Sequence, residues 1–224
     1  MYIILVGADS VGASLARLAA KDGHNVVLIE RDEKLARQVS EQLDISVLNS
    51  DIATHGIMEE AGAKRADAVI ATTKDDATNL MAMFLGAEAG VKGLVSVVND
   101  PGHAGLFERL EVHVLLDPEE VVARHLYGVL NQPKVEEMVL LEEDEEVFGV
   151  VLSPQSVLVG RSLKEIRGDS ELPRGFAIVA IKRGDERRLA KDDEAMEAGD
   201  RLTVYSLKPV KPSELKLFVG DEGT

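Results

Sequence analysis

Near the start of the chain, Gly7-Ala8-Asp9-Ser10-Val11-Gly12 is the first stretch whose residue types and spacing could do chemistry. It lies between the apolar run Tyr2–Val6 and a segment in which Val11, Leu15 and Leu18 repeat at helical spacing. Strand, glycine turn and helix in that order form the context of a dinucleotide-binding turn, where backbone N–H groups face a phosphate at a helix N-terminus. Glu30 closes a second apolar run, 26–29, and stands 30 − 12 = 18 residues beyond Gly12. There an acid accepts hydrogen bonds from the hydroxyls of an adenosine ribose, which favours a free ribose over a 2′-phosphate. Without that context, the glycines would be a turn and Glu30 a surface acid.

Position 9 departs from the pattern. The middle glycine, which lets pyrophosphate approach the backbone, is an aspartate here. Aspartate tolerates left-handed backbone, so the turn can survive, but its carboxylate is expected to face phosphate oxygens. At about 5 Å and an effective dielectric of ~20, two unit charges repel by roughly 3 kcal/mol. Arg31 after the second strand and Lys74 after the fourth are the candidates to offset this, as is a divalent cation bridging Asp9 to phosphate. The expectation is an altered or weakened phosphate site.

Catalytic and metal chemistry are not expected. His24, His55, His103, His113 and His125 form no His-x-x-x-His pair, and there is no cysteine to supply a thiolate or a disulfide. No nucleophile-elbow serine and no closed P-loop occur. Asp75-Asp76 and Asp192-Asp193 are adjacent in sequence, so a helix or strand points them apart. Against 25 basic residues stand 40 acidic ones, a formal net charge of −15, which opposes a nucleic acid as partner because that affinity is mostly electrostatic. Nowhere do 18 apolar residues follow one another, so no direct membrane insertion is expected and a membrane role must run through a partner.

The elements that must position these residues alternate. Further strands are predicted at 46–48, Ala68–Ala71, Gly93–Val98 and 112–115, with helices at 33–43, 57–61, 76–90 and around Leu106. Such alternation means an α/β domain with a doubly wound parallel sheet. Asp117-Pro118-Glu119-Glu120 starts a helix over 119–130, Asp117 capping and Pro118 suiting the first turn. Val121, Val122, Leu126, Val129 and Leu130 cover more than one stripe of that helix, enough to face a second copy as well as the core. Gln132-Pro133 ends it, and a domain boundary is placed there. The acidic run 142–146 is expected as a turn. Strands at 147–152, 176–182 and Arg201–Ser206 and a capping box at Ser162-Leu163-Lys164-Glu165 predict a small α+β module. The expected domains are therefore 1–133 and 134–208. Residues 209–224 are read as a mobile tail.

At this point the residues resemble a family, the regulatory subunits of Trk/Ktr potassium uptake, built from RCK or KTN domains. Besides the glycine turn and Glu30, the likeness includes Asp51, Glu60-Ala61-Gly62, the run 66–71, and Thr72-Thr73-Lys74-Asp75-Asp76-Ala77-Thr78-Asn79-Leu80. Val159-Gly160-Arg161-Ser162-Leu163, the run 178–183 and Ala198-Gly199-Asp200-Arg201-Leu202 carry it through the second domain. The resemblance implies a Rossmann-type domain followed by a small α+β ligand-binding domain, in a cytoplasmic gating subunit that is not an enzyme. It would lie on the inner face of the membrane through a potassium-transporter subunit of the TrkH/KtrB kind, as a homodimer assembling into a larger ring. An adenine nucleotide, NAD/NADH or ATP/ADP, would be its ligand. Carried over by position, Gly7, Ala8, Asp9, Ser10, Val11 and Gly12 would meet phosphate, Glu30 the ribose, and Asp51 with Ile52 the adenine edge. Thr72 and Thr73 would line the floor, beside Arg31 and Lys74. The family often has an arginine four residues before the proline of the fifth-strand loop, where this chain has Val97. With Asp9 this is a second phosphate aid lost, and an AMP-like ligand becomes the alternative. The second domain binds small ligands in this family, cyclic dinucleotides in some members, but no motif here identifies one. Two other readings remain: a regulator of a cation/proton antiporter or another channel, and an NAD-dependent oxidoreductase.

Overall fold

A computed structural model describes residues 1–131, 135–141, 145–169 and 172–220. The chain forms two compact units, Met1–Glu120 and Val121–Thr224. In the first, β1 (Tyr2–Val6), β2 (Asn25–Glu30), β3 (Ser46–Asn49), β4 (Ala68–Ala71), β5 (Gly93–Val98) and β6 (His113–Leu116) make one parallel sheet in the order β3-β2-β1-β4-β5-β6. Helices α1 (Ser10–Lys21), α2 (Glu33–Gln42), α3 (Ile57–Glu60), α4 (Asp76–Glu88) and α5 (Ala104–Glu108) fill the crossovers. The strand order reverses direction between β1 and β4, and a ligand crevice belongs outside the carboxyl ends of strands at such a switch point.

The central strands β1, β2 and β4 are covered on both faces, which is why they read as apolar runs, whereas the edge strands β3 and β6 are largely exposed. Ile3, Leu5, Val26 and Leu28 pack on one side with Ala16 and Ala19 of α1 and Val39 of α2. Ile4, Val6, Val27 and Ile29 pack on the other with Ala82 and Met83 of α4 and Phe107 of α5. The fold of this unit agrees with the expected doubly wound α/β class.

Helix α6 (Pro118–Asn131) spans the junction of the two units. Its start is as expected: Asp117 Oδ1 accepts the Glu120 N–H at 2.9 Å. The predicted stop at Gln132-Pro133, the side chain of Val129 and most of the acidic run, 142–144, lie outside the described residues. Among the described residues no helix is long and apolar enough to cross a membrane.

In the second unit, β7 (Val135–Leu140), β8 (Glu146–Val151), β9 (Phe176–Arg183), β10 (Glu186–Leu189) and β11 (Arg201–Ser206) form an antiparallel sheet in the order β10-β9-β11-β8-β7. Helix α7 (Leu163–Gly168) opens on the predicted capping box, Ser162 and Glu165 each accepting the other's backbone N–H. Residues 209–220 correct the expectation of a mobile tail. Pro212–Val219 is a helix, α8, with Leu215 and Phe218 buried and the Phe218 ring edge-on to Phe148 at 6.2 Å. Pro212 is not a breaker there but an N1 residue, and the Glu214 carboxylate accepts the Lys211 N–H to close the first turn.

Candidate functional site

Two glycines shape the turn after β1. Gly7 has φ 101°, and a Cβ there would meet Thr73 Cγ2 at 2.8 Å. At Gly12 a Cβ would lie 2.0 Å from the Gly7 carbonyl oxygen and 2.7 Å from Thr72 Oγ1. The β1–α1 turn therefore sits directly against the β4–α4 loop, and both positions exclude side chains for steric reasons.

Between these loops and the ends of β2 and β3 opens a crevice of about 360 Å³. Glu30 lines it and is 8% exposed. Its Oε2 accepts the Ala8 N–H at 2.6 Å and its Oε1 the Asp32 N–H at 2.7 Å, while its carbonyl accepts Asn49 Nδ2 at 2.8 Å and the Ser50 N–H at 3.0 Å. One residue thus ties the glycine turn, the start of α2 and the end of β3. Each carboxylate oxygen offers about two lone-pair sites, so one on each remains for a ligand hydroxyl.

Of the residues expected from sequence, Gly7, Asp9, Glu30, Arg31, Asp51, Ile52, Thr73 and Lys74 line this crevice together. Ala8, Ser10, Val11, Gly12 and Thr72 are not among its lining residues. Ala8 is buried and serves through its N–H to Glu30. Ser10 and Val11 are exposed on the first turn of α1. Thr72 is buried beneath the turn, its hydroxyl 3.4 Å from the Val6 and Gly7 carbonyl oxygens, so it supports the turn from below. Val97 is buried in the sheet.

Asp9 does not simply face the crevice. It is the N-cap of α1, and its Oδ1 accepts the Val11 and Gly12 N–H groups at 3.1 Å each. The same device recurs at two lining residues that the sequence reading missed. Asp32 caps α2, accepting the Lys34 N–H at 2.8 Å and the Leu35 N–H at 3.1 Å, and Asp75 caps α4 through the Thr78 N–H at 2.9 Å. Their signal was local: an aspartate immediately before each helical run. Bonds from the Thr78 hydroxyl and N–H hold the Asp75 carboxyl below the usual carboxylate range, helped by the charge of Arg31. The cations at the rim are exposed, and Lys74 Nζ lies 3.6 Å from Glu119.

The floor is fixed from behind by Asn79, which is fully buried. Its Oδ1 accepts the Thr73 N–H at 3.0 Å and the Thr73 hydroxyl at 2.6 Å. Its Nδ2 donates to the Thr73 carbonyl at 2.8 Å and the Val97 carbonyl at 3.2 Å. Asn99 adds a bond to the Thr73 carbonyl at 3.1 Å and is itself gripped by Asp76. Burial pushes the Asp76 carboxyl up, but bonds from Asn99, His103 and Asp100 outweigh it and bring it to about 2. The same Asp76 bond raises His103. No group of three or more His, Asp or Glu suited to a metal ion occurs among the described residues.

The TrkA-N domain model matches residues 3–118, more than half of the chain, and the TrkA-C domain model matches residues 147–208. A Trk system potassium uptake protein TrkA homolog of Methanothermobacter thermautotrophicus is 30% identical over 224 residues, covering 98% of this chain and all of the relative. One of Pyrococcus abyssi is 28% identical over 187 residues, 81% of each chain. Among solved structures, the GsuK channel superposes with a TM-score of 0.62 at 15% identity over 98% of this chain, and its NAD-bound form with 0.61 at 15% identity over 97%. The chain spans 39% of that channel's length, so this likeness speaks to the fold alone. With both domains in order and a relative matched from end to end, the chain belongs to the TrkA family of Trk-system potassium uptake proteins.

Proposed function

We propose that the protein is the nucleotide-sensing regulatory subunit of a Trk-type potassium uptake system, without catalytic activity of its own. An adenine nucleotide, NAD/NADH, ATP/ADP or AMP, binds in the crevice at the carboxyl edge of the first sheet. Its occupancy biases a membrane potassium-transporter subunit of the TrkH/KtrB kind, to which the protein docks from the cytoplasmic side. The observation that supports this reading best is Glu30, a buried carboxylate at the crevice wall with acceptor capacity left for two ribose hydroxyls. Asp51 and Ile52 at the end of β3 are the proposed adenine contacts. The proposed domains are 1–133 and 134–208, the second extended by α8, whose Leu215 and Phe218 belong to its core.

A thermal-shift panel of ATP, ADP, AMP, NAD, NADH and cyclic dinucleotides tests the ligand, because a ligand that binds only the folded state raises the melting point. At least one adenine mononucleotide or dinucleotide is expected to stabilise the protein. Glu30→Gln is expected to weaken that ligand about tenfold or more, since an amide has a single acceptor oxygen and turns its NH2 toward the Ala8 or the Asp32 N–H. No shift with any adenine ligand would sink the reading.

Assembly as a homodimer or a larger ring is supported by α6, where Val121, Val122, Tyr127, Leu126 (64% exposed) and Leu130 (74% exposed) present apolar surface to solvent. Exposed apolar side chains of this number on one helix support an interface there. Light scattering at micromolar concentration is expected to give at least a dimer, and Leu126→Glu with Leu130→Glu a smaller species. A monomeric parent protein would contradict this.

A further inference from the structure

Three helices of the first unit begin at this crevice: α1, α2 and α4, of 12, 10 and 13 residues. A helix N-terminus is ordinarily where a crevice of this kind grips phosphate, through free N–H donors and the positive end of the dipole. Here each of the three is closed by a carboxylate of the chain itself. Asp9 holds the Val11 and Gly12 N–H groups, Asp32 those of Lys34 and Leu35, and Asp75 that of Thr78. Asp9, Asp32 and Asp75 all line the cavity. Five of the N–H donors at these three helix starts are therefore already engaged, and their partners carry the same sign of charge as the ligand.

The electrostatic balance runs the same way. Five acids line the crevice, the three caps with Glu30 and Asp51, against two bases, Arg31 and Lys74. Lys74 is exposed and lies beside Glu119, so little of its charge is committed to the cavity. The adenosine end is built differently: Glu30 is an acceptor suited to neutral hydroxyl donors. At about 360 Å³ the cavity is also near the lower end of the ~300–1,000 Å³ range of small-ligand pockets, nearer a mononucleoside than a dinucleotide.

We propose that this crevice selects adenine ligands inversely to their phosphate charge, preferring AMP to ADP and ADP to ATP, with Asp9 as the specificity-determining residue. The proposal rests on the reading of the crevice as an adenosine site and sharpens it. Asp9 sets the order because it sits on the turn where the 5′ substituent must pass. Its carboxylate keeps the Val11 and Gly12 N–H groups unless a phosphate displaces it, and a displaced carboxylate remains a like charge close by. Additional phosphates find these capped donors engaged and meet added repulsion from the caps.

Calorimetry on the full chain in magnesium-free buffer tests this with adenosine, AMP, ADP and ATP as titrants. The variant is Asp9→Asn, whose side-chain oxygen can still cap α1, so the fold is retained while the charge is removed. For the parent protein, affinity is expected to fall about tenfold from AMP to ADP, as a like charge at several ångströms and moderate dielectric requires. In Asp9→Asn the ADP and ATP affinities are expected to rise about tenfold while adenosine is unchanged. Asp9→Gly, which frees both N–H groups, is expected to bring ADP level with AMP or above it. A parent protein that binds ADP or ATP as tightly as AMP overturns the proposal and leaves the adenosine site standing. So does an AMP-to-ADP ratio that neither variant changes. If adenosine and all three nucleotides fail to bind, the adenosine site itself is refuted, and this selectivity with it.

Discussion

Asn79→Leu is expected to destabilise the first unit by about 3 kcal/mol and to weaken any crevice ligand, although residue 79 does not itself line the cavity. The two side chains are close in size, so little volume is lost. What is lost is four hydrogen bonds at a fully buried position. The Thr73 N–H loses its side-chain acceptor, and a buried polar group left unsatisfied costs roughly 1–3 kcal/mol, while the Val97 carbonyl keeps the Ser96 hydroxyl at 2.8 Å. Asn99 still reaches the Thr73 carbonyl, which limits the loss there. Because Thr73 packs on Gly7, freeing the loop also loosens the turn that carries Asp9. Denaturant unfolding followed by circular dichroism measures the first effect and calorimetry the second. A variant within about 0.5 kcal/mol of the parent would show that the clamp is incidental, since surface substitutions lie within that range.

In the second unit the largest effect is expected at Arg183, the last residue of β9. Its Nε donates to Asp200 Oδ1 at 2.7 Å and its second guanidinium nitrogen to Oδ2 at 2.8 Å, a bidentate pair, with further bonds to Glu197 and the Ala195 carbonyl. Asp200 is 1% exposed and otherwise holds the Glu197 N–H. Arg183→Leu strands a buried carboxylate, and breaking such a pair on one side costs on the order of 3 kcal/mol.

The pH dependence of that cost has a definite sign. Burial alone pushes the Asp200 carboxyl up, but the Arg183 guanidinium and the Glu197 N–H hold it below its ordinary value. In the parent protein its contribution is present above the unfolded carboxylate value of about 3.9 and is lost as pH falls through the lower folded value. In Arg183→Leu burial dominates and the folded value is expected to rise, so acidification relieves the stranded charge. The stability gap between parent and variant should therefore be wider at pH 7 than at pH 4. Asp200→Asn in the variant background should recover part of the loss at pH 7. A gap that is constant across this range would show that the charge is not what matters.

The readable part of this chain is what periodicity and local turn chemistry encode. Apolar runs at Tyr2–Val6, 26–29 and Ala68–Ala71 specify strands buried on both faces, and from these the parallel α/β sheet follows. Glu30 was legible because its distance from the glycine turn is set by one strand–helix–strand unit. The capping box at Ser162 was legible because it is completed within four residues. Strand β10 was not, since Glu-Arg-Arg-Leu is a charged edge strand with no apolar alternation to detect. Helix α8 was hidden because Pro209 before it and Pro212 at its start look like a terminus until Leu215 and Phe218 find the second core.

Only the tertiary structure decided what each polar group holds. That Asp9 takes the Val11 and Gly12 donors, that Thr72 lies under the turn and not in the crevice, and that Asn79 joins Thr73 to β5 are matters of distance in space. A hydrogen bond is settled within a few tenths of an ångström by the packing of strands far apart in the chain, whereas burial is averaged over many residues and leaves its record in the order of the amino acids.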